Sequence, residues 1–431
     1  MKQAWIKTTL ALAIGALSSQ ALANGLAINE HSASGMGTAF AGRSSNVLDA
    51  STVAANPAGM SKLERREVSG GLAFIHALTD IEHKPQTGDA AGTTKGDMVP
   101  FSAVPFGYYV TPINDKLHFG LGLYVPFAVA SDYESSHAGR YHGLTSEVEV
   151  VNLQPTISYK VNDQVSVGAG LVISRIYGKL TSNTNISPLV APLGPYPDSK
   201  VEIEGDDIAY GFNLGVLVDV TEQLSWGLSY KSKISYSLEG DTKVSGMPTM
   251  PAAPSVPPFQ LLNNTFDAGV DITMPESIDT SVTYRLDDQW TVYGGATWTR
   301  WSRLDSLVVE NAGIPAFAAE RFARVEEPLK WSDTWSFAVG TSYQLNPQWV
   351  LRAGLALDES PTNDQHRTTR IPVSDRTILS FGAGWNINQD ITLDLAYSYL
   401  KEDKGEVNQD TYHAKYENSA HGLAAQLTYR F

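Results

Sequence analysis

Six short polar turns punctuate this chain, and together they leave few folds open. They fall at Asn114-Asp115, Asn162-Asp163, Thr221-Glu222-Gln223, Asp287-Asp288, Asn346-Pro347 and Asn388-Gln389-Asp390. Each is followed within three residues by a fresh run of β-type residues. Successive turns are about 40 to 65 residues apart, room for one strand up, a longer loop and one strand down. A strand on each side of every turn gives twelve. One more before Phe101 and one after Glu406 predict fourteen.

The runs alternate with period two, as a wall with one greasy and one wet face must. Val165, Val167, Ala169, Leu171 and Ile173 share one face, and Ser166, Gly168, Gly170 and Ser174 the other. Ile391, Leu393, Leu395, Tyr397 and Tyr399 alternate with Thr392, Asp394 and Ser398. At the end of the chain Leu423, Ala425, Leu427, Tyr429 and Phe431 alternate with Gln426, Thr428 and Arg430. Trp290 and Trp298 lie on one face, eight residues apart. At ~3.3 Å per residue and a tilt of about 40°, they span roughly 20 Å, close to the ~25 Å apolar band of an outer-membrane barrel. Trp226 and Trp349 also stand just past short turns.

The first residues read as an address. Lys2 and Lys7, an apolar core from Leu10 to Leu17 and the small-residue site Ala21-Leu22-Ala23 predict a secretory signal peptide over 1–23. Nothing downstream offers the ~18 uninterrupted apolar residues of a membrane helix. The mature chain is therefore either soluble beyond the inner membrane or a β-barrel, and the alternation with its aromatic ends selects the barrel. Composition narrows function further. There is no cysteine, which excludes disulfides, thiolate metal sites and Cys nucleophiles. A net charge of -15 argues against nucleic acid, whose phosphates need clustered Lys and Arg.

A fourteen-stranded barrel encloses more space than wall side chains can fill. Residues 24–66 are rich in Ala, Gly and Ser, lack strand alternation and precede the first strand. They read as a plug, or hatch, within a barrel of residues 67–431; the alternative is a loose periplasmic tail. Gly35-x-Gly37 is no nucleotide fingerprint, because no strand precedes it.

In these residues the chain resembles the FadL-type outer-membrane transporters of long-chain fatty acids and other hydrophobic compounds. The resemblance rests on the start Asn24-Gly25-Leu26-Ala27-Ile28-Asn29-Glu30, the turn Ser34-Gly35-Met36-Gly37 and the signature Asn56-Pro57-Ala58. It continues through Val104-Pro105, Pro112-Ile113-Asn114, Met274-Pro275-Glu276, Asp358-Glu359-Ser360-Pro361, Ile371-Pro372 and Asp375-Arg376. It implies an all-β, fourteen-stranded antiparallel barrel with an N-terminal hatch, in the bacterial outer membrane. It also implies uptake of a long-chain fatty acid, with aromatic hydrocarbons as the alternative cargo.

Two apolar loops gain meaning from this. One carries Leu189, Val190 and Leu193; the other carries Met247, Met250, Phe259, Leu261 and Leu262. Both lie opposite the short turns, hence outside the cell. Exposed apolar loops mark an interaction surface, and Met makes it adaptable; alternatively the loops pack on each other as a lid. The resemblance makes them the first landing site for substrate. Tail burial would drive capture, since ~0.8 kcal/mol per methylene gives a sixteen-carbon chain on the order of 12 kcal/mol gross. A head group drawn inside would still need a donor or cation. Arg175, Lys179, Lys330 and Arg300 are candidates, although Arg175 and Lys179 fall on the outward face, where they would meet lipopolysaccharide.

Two further expectations follow from the resemblance. Leu26, in the third mature position, corresponds to an apolar stopper beside the binding pocket, grouped here with the hatch residues Asn56, Pro57 and Ala58. In the third strand, Phe119, Leu121, Leu123 and Val125 face lipid until Pro126 interrupts the ladder. Proline lacks the N–H that a central strand donates, so Pro126 marks a bulge, a kink or the end of pairing. The family places a lateral exit there, which here would involve Val125, Pro126 and Phe127.

Enzyme signatures are missing: there is no H-E-x-x-H, G-x-S-x-G or P-loop. His137 and His142 stand near Asp132 and Glu134 and could bind a metal, with plain solvation the commoner state. A general porin would need an open polar lumen and no plug. With no cofactor, nucleotide site or energy-coupling box, the expectation is passive diffusion through a monomer whose closed wall leaves no edge to share.

Overall fold

The computed structural model describes residues 25–187, 196–250, 259–260, 262–316 and 318–431, with the backbone alone at 249–250 and 259–260. The predicted signal peptide, 1–23, falls outside the described residues. Fourteen antiparallel strands form one closed wall. They are β1 (Glu67–His83), β2 (Ser102–Pro112), β3 (Leu117–Asp132), β4 (Thr145–Lys160), β5 (Val165–Thr184) and β6 (Ser199–Asp219). Four strands then run in two pieces each. They are β7 (Leu224–Lys231 and Ile234–Ser245), β8 (Asn264–Met274 and Ser277–Arg285), β9 (Trp290–Thr299 and Ser306–Asn311) and β10 (Arg324–Pro328 and Thr334–Asn346). The wall ends with β11 (Trp349–Asp358), β12 (Arg376–Asn386), β13 (Ile391–Glu402, continued by Gly405–Gln409) and β14 (Tyr412–Arg430). Neighbours in sequence are neighbours in the wall, and β14 closes on β1 from Glu67↔Arg430 to His83↔Ala414.

All six expected turns join strands at one end of the barrel, and they share one device. The first polar side chain of each turn accepts hydrogen bonds from the backbone N–H groups two and three residues on. Asn162 Oδ1 accepts from Gln164 and Val165 at 2.9 and 2.8 Å, and Asp287 Oδ1 from Gln289 and Trp290 at 2.8 and 2.7 Å. Asn114, Thr221, Asn346 and Asn388 do the same. A short polar side chain thereby supplies the acceptor that the tight turn would otherwise lack.

The wall faces lipid with the residues that the alternation assigned to it: Val167, Leu171, Leu395, Leu423, Leu427 and Tyr429 are exposed. Trp349 stacks on Trp385 with centroids 5.6 Å apart, and Trp290 lies 4.7 Å from Tyr343, one aromatic girdle at the turn end. Trp335 and Phe337, 6.0 Å apart, belong to the other.

The described N-terminal residues lie inside this wall. A helical turn at Ala33–Met36 rests on β12, β13 and β14, while a 3-10 turn at Pro57–Lys62 rests on β3 to β6. Small residues on the wall make this approach possible. A Cβ at Gly215 of β6 would overlap Asn56 Oδ1, so the bare backbone there is what lets the hatch dock. Asn56 Nδ2 donates to the Ser44 carbonyl at 2.6 Å and to the Val216 carbonyl of β6 at 3.0 Å, and its Oδ1 accepts from Ala58 N at 3.0 Å. Asn56, Pro57 and Ala58, all buried, thus anchor the hatch to the wall rather than face a passage. Ion pairs in the wall, Arg352–Asp394 and Arg376–Asp358 at 2.6 Å each, neutralise the charges buried around it.

Candidate functional site: a cavity closed by the N-terminal segment

Strand β3 carries one residue too many. Its ladder with β4 jumps from Tyr124↔Asn152 to Phe127↔Val150, so Val125 and Pro126 form a bulge. On the other side, the ladder with β2 runs from Pro112↔His118 and stops at Gly107↔Leu123. Beyond that point a different partner takes over. Ile28 N donates to the Pro126 carbonyl and Ala128 N to the Leu26 carbonyl, both at 2.8 Å, so that Ala27 pairs with Phe127. The start of the hatch is thereby a short strand laid along the kink in the wall.

The extra residue also reverses the alternation. Val125, expected to face lipid, is only 6% exposed and belongs to the interior cluster. Pro126 is therefore a true bulge and not the end of the strand, which continues to Asp132.

Opposite the kink, the interruptions in β9 and β10 turn two large rings inward. Trp301, fully buried, meets Trp331 at 5.2 Å and Phe127 at 6.0 Å, both edge to face. Bonds from Arg303 Nε and Nη2 to the two oxygens of Glu276, 3.0 and 2.7 Å, tie the break in β9 to the break in β8. Gly25 threads between the rings with φ +58°, and a Cβ there would lie 2.9 Å from Trp331 and 3.2 Å from Trp301. Only glycine fits both the backbone twist and the space.

Leu26 follows, 3% exposed, and closes the floor of a cavity that encloses about 890 Å³ with its mouth included. Val129, Ile176, Leu238, Val270, Leu304 and Ile371 are among the apolar residues of its wall. The charged groups of the lining include Arg370 and Glu327, whose Nε and Oε2 lie 3.3 Å apart, and Glu204. Arg370 Nη1 donates to the Thr145 and Thr181 carbonyls and to Ser146 Oγ at 3.1 to 3.2 Å, which fixes the guanidinium over the apolar space. Burial pulls this guanidinium downward from its ordinary value, and Glu327 opposes the shift.

The basic residues singled out from sequence are placed elsewhere. Arg175 and Lys179 do face outward, but they meet the β6 carboxylates Asp206 at 3.6 Å and Glu202 and Glu204 at 3.6 and 3.8 Å. Lys330 pairs with Asp305 at 2.7 Å and Arg300 with Glu276 at 3.3 Å, both at partly exposed positions. Arg370, the cation that does border the cavity, was overlooked. The available signal was its position directly before Ile371-Pro372.

Among the loop residues, Leu189, Val190, Leu193 and Leu261 fall outside the described residues, as do the side chains of Met250 and Phe259. Met247 and Leu262, expected to be exposed, are 5% and 6% exposed and pack with Ile186, Phe266, Ala318 and Phe322. Where described, the loops pack on one another and on the β9–β10 connection as a lid. His137 is not a solvated side chain either: it is 1% exposed and stacks on Tyr133 at 4.3 Å. No group of metal-ligating side chains occurs among the described residues.

Known proteins share this architecture. The family model described as outer membrane protein transport protein (OMPP1/FadL/TodX) matches residues 14–431. The chain is 27% identical to the long-chain fatty acid transport protein of Escherichia coli O6:H1 (strain CFT073), across 98% of this chain and 97% of that protein. Its fold is similar to the crystal structure of a Pseudomonas aeruginosa FadL homologue, with a TM-score of 0.81 at 24% identity over 94% of this chain and 100% of the other. The toluene transporter TodX of P. putida is also similar in fold, with a TM-score of 0.69 at 17% identity over 90% and 95%. This outer-membrane barrel belongs to the OMPP1/FadL/TodX family of transporters of hydrophobic compounds.

Proposed function

We propose that the protein takes up long-chain fatty acids by passive, ligand-gated diffusion, after removal of residues 1–23. The apolar cavity closed by Leu26, with one buried cation at its rim, carries this reading. Its lining favours an alkyl chain through burial alone, and Arg370 offers a carboxylate the charged donor that a plain hydrocarbon would leave idle. The fatty acid transport protein named among the sequence relatives supports the same cargo. Substrate collects on the apolar outer loops, enters beside Arg370 and displaces Leu26. The segment 26–28 then leaves the kink, and the ligand passes sideways between β2 and β3, past Val125, Pro126 and Phe127, into the outer leaflet. The alternative cargo is an aromatic hydrocarbon, favoured by the TodX-like fold and by the Trp301–Trp331 pair. Competition between oleate and toluene for the purified barrel separates the two. Oleate is expected to bind more tightly and to lose affinity in Arg370→Met, whereas toluene displacing oleate with no effect of that change would favour the aromatic reading.

A further inference from the structure

Beneath the segment 26–28, on the side away from the Leu26 cavity, lies a second chamber of about 900 Å³ with its mouth included. Its character is different. Ile28, Phe127, Val172 and Ile234 supply apolar wall, but Lys231 of β7 and Arg43 of the hatch both border it. Arg43 Nη2 donates to Asn29 Oδ1 at 2.7 Å and its guanidinium lies 4.9 Å from the centre of the Phe40 ring, while its Nε is buried with no partner. Among the described residues Lys231 has no ion pair or hydrogen bond through its ammonium, and the Arg43 charge acts against it.

Of the carboxylates nearby, Asp358 is held by Arg376 at 2.6 Å. Asp279 accepts from Thr297 Oγ1 at 2.6 Å through Oδ2 while its Oδ1 is buried with no partner, and Glu30 accepts from Asn29 N at 3.0 Å; they act on Lys231 and Arg43 respectively, each from beyond ion-pair distance. Neither of the latter two bridges Lys231 and Arg43, whose like charges oppose each other in a half-apolar chamber, and an anion between them would relieve that opposition.

We propose that Lys231 and Arg43 form a second carboxylate site, which receives the fatty acid head group once the chain has passed Leu26. This rests on the uptake reading above and extends it from one station to two. Pro126 and Phe127 border the chamber too, so a head group held here places the tail at the β2–β3 seam. The second site would then be the last stop before lateral exit, and its anion would loosen the Arg43–Asn29 bond that steadies the segment 26–28.

Equilibrium dialysis of full-length protein against palmitate in a nonionic detergent tests this, with hexadecanol as the uncharged probe. Wild type is expected to bind two palmitates, and Lys231→Met with Arg43→Gln to bind one, the remaining affinity unchanged and the second weakened about tenfold or more. Lys231→Arg should keep both, which guards against a merely misfolded variant, and hexadecanol binding should not respond to these changes. Two palmitates on the double variant would overturn the second site while leaving fatty acid uptake standing. No palmitate on wild type would remove the uptake reading itself, and the second site with it.

Discussion

Leu26 is the side chain on which the proposed closed state turns. It is buried among Val129, Ile176 and Trp331, and its carbonyl accepts from Ala128 of the kinked strand. Leu26→Asp would set a carboxylate into a space that offers only the distant Arg370, at a cost of several kcal/mol. The segment 26–28 is then expected to leave the kink while the wall, closed by ladders far from residue 26, stays intact. Oleate affinity should fall roughly tenfold or more with unchanged heat-dependent gel mobility of the folded barrel; unchanged affinity would show that Leu26 is no stopper. At this scale the sequence was legible only in part. Leu26 and Asn56-Pro57-Ala58 stood out, but the wall acceptor of Asn56 is the Val216 carbonyl, 160 residues away. No local pattern carries such a contact. Lys231 escapes notice for the same reason, since what sets it apart is the company brought by remote strands; Arg370 has only its place before Ile371-Pro372 to mark it.

Elements were easier to read where their determinants are local. The six turns announced themselves because an Asn, Asp or Thr oxygen bonds N–H groups two and three residues on, within the span of the pattern itself. Alternation placed the lipid face correctly along β5, β13 and β14. It failed beyond Tyr124, where one additional residue exchanges inside for outside, and it gave no hint that β7 to β10 each break at about one level to admit Trp301 and Trp331. The β3–β4 loop is a further case. His137 lies between Tyr133 and the Tyr412 ring, 5.2 Å away, and Tyr133 OH donates to the Thr369 carbonyl next to Arg370. Burial pushes His137 down to about 4, against ~6.5 in an unfolded chain. The folded loop therefore binds fewer protons than the open one. Its stability is whole above ~6.5 and declines as pH falls toward about 4, by at most ~3 kcal/mol. Protection from hydrogen exchange across 133–144, taken relative to the intrinsic rate at each pH, should fall over that window in wild type, and the fall should largely vanish in His137→Phe. A loop equally protected at both ends of the window would contradict this.

For the whole molecule, closure is the governing fact, because a wall without edges can pass a ligand sideways only where its own ladder is incomplete. Between β2 and β3 the ladder stops at Gly107↔Leu123, and above that level the segment 26–28 takes the place of β2 along β3. The same hydrogen bonds, Ile28 to Pro126 and Ala128 to Leu26, hold the segment 26–28 and line β3 where β2 has left it, so on the proposed route stopper and seam would be one structure. This predicts that stopper release and lateral exit cannot be separated by ligand, but can be separated by a covalent staple. The chain has no cysteine, so an introduced pair is unambiguous. One cysteine on β2 before Gly107 and one on β3 beyond Leu123, oxidised together, should still allow oleate to bind and move Leu26, yet should halt its appearance in the membrane of proteoliposomes until a reductant is added. A matched pair across the continuous β5–β6 ladder should leave uptake alone in either redox state. If the stapled seam passes oleate at the reduced rate, the ligand leaves by another way, and the kink at Pro126 serves only to dock the N-terminal segment.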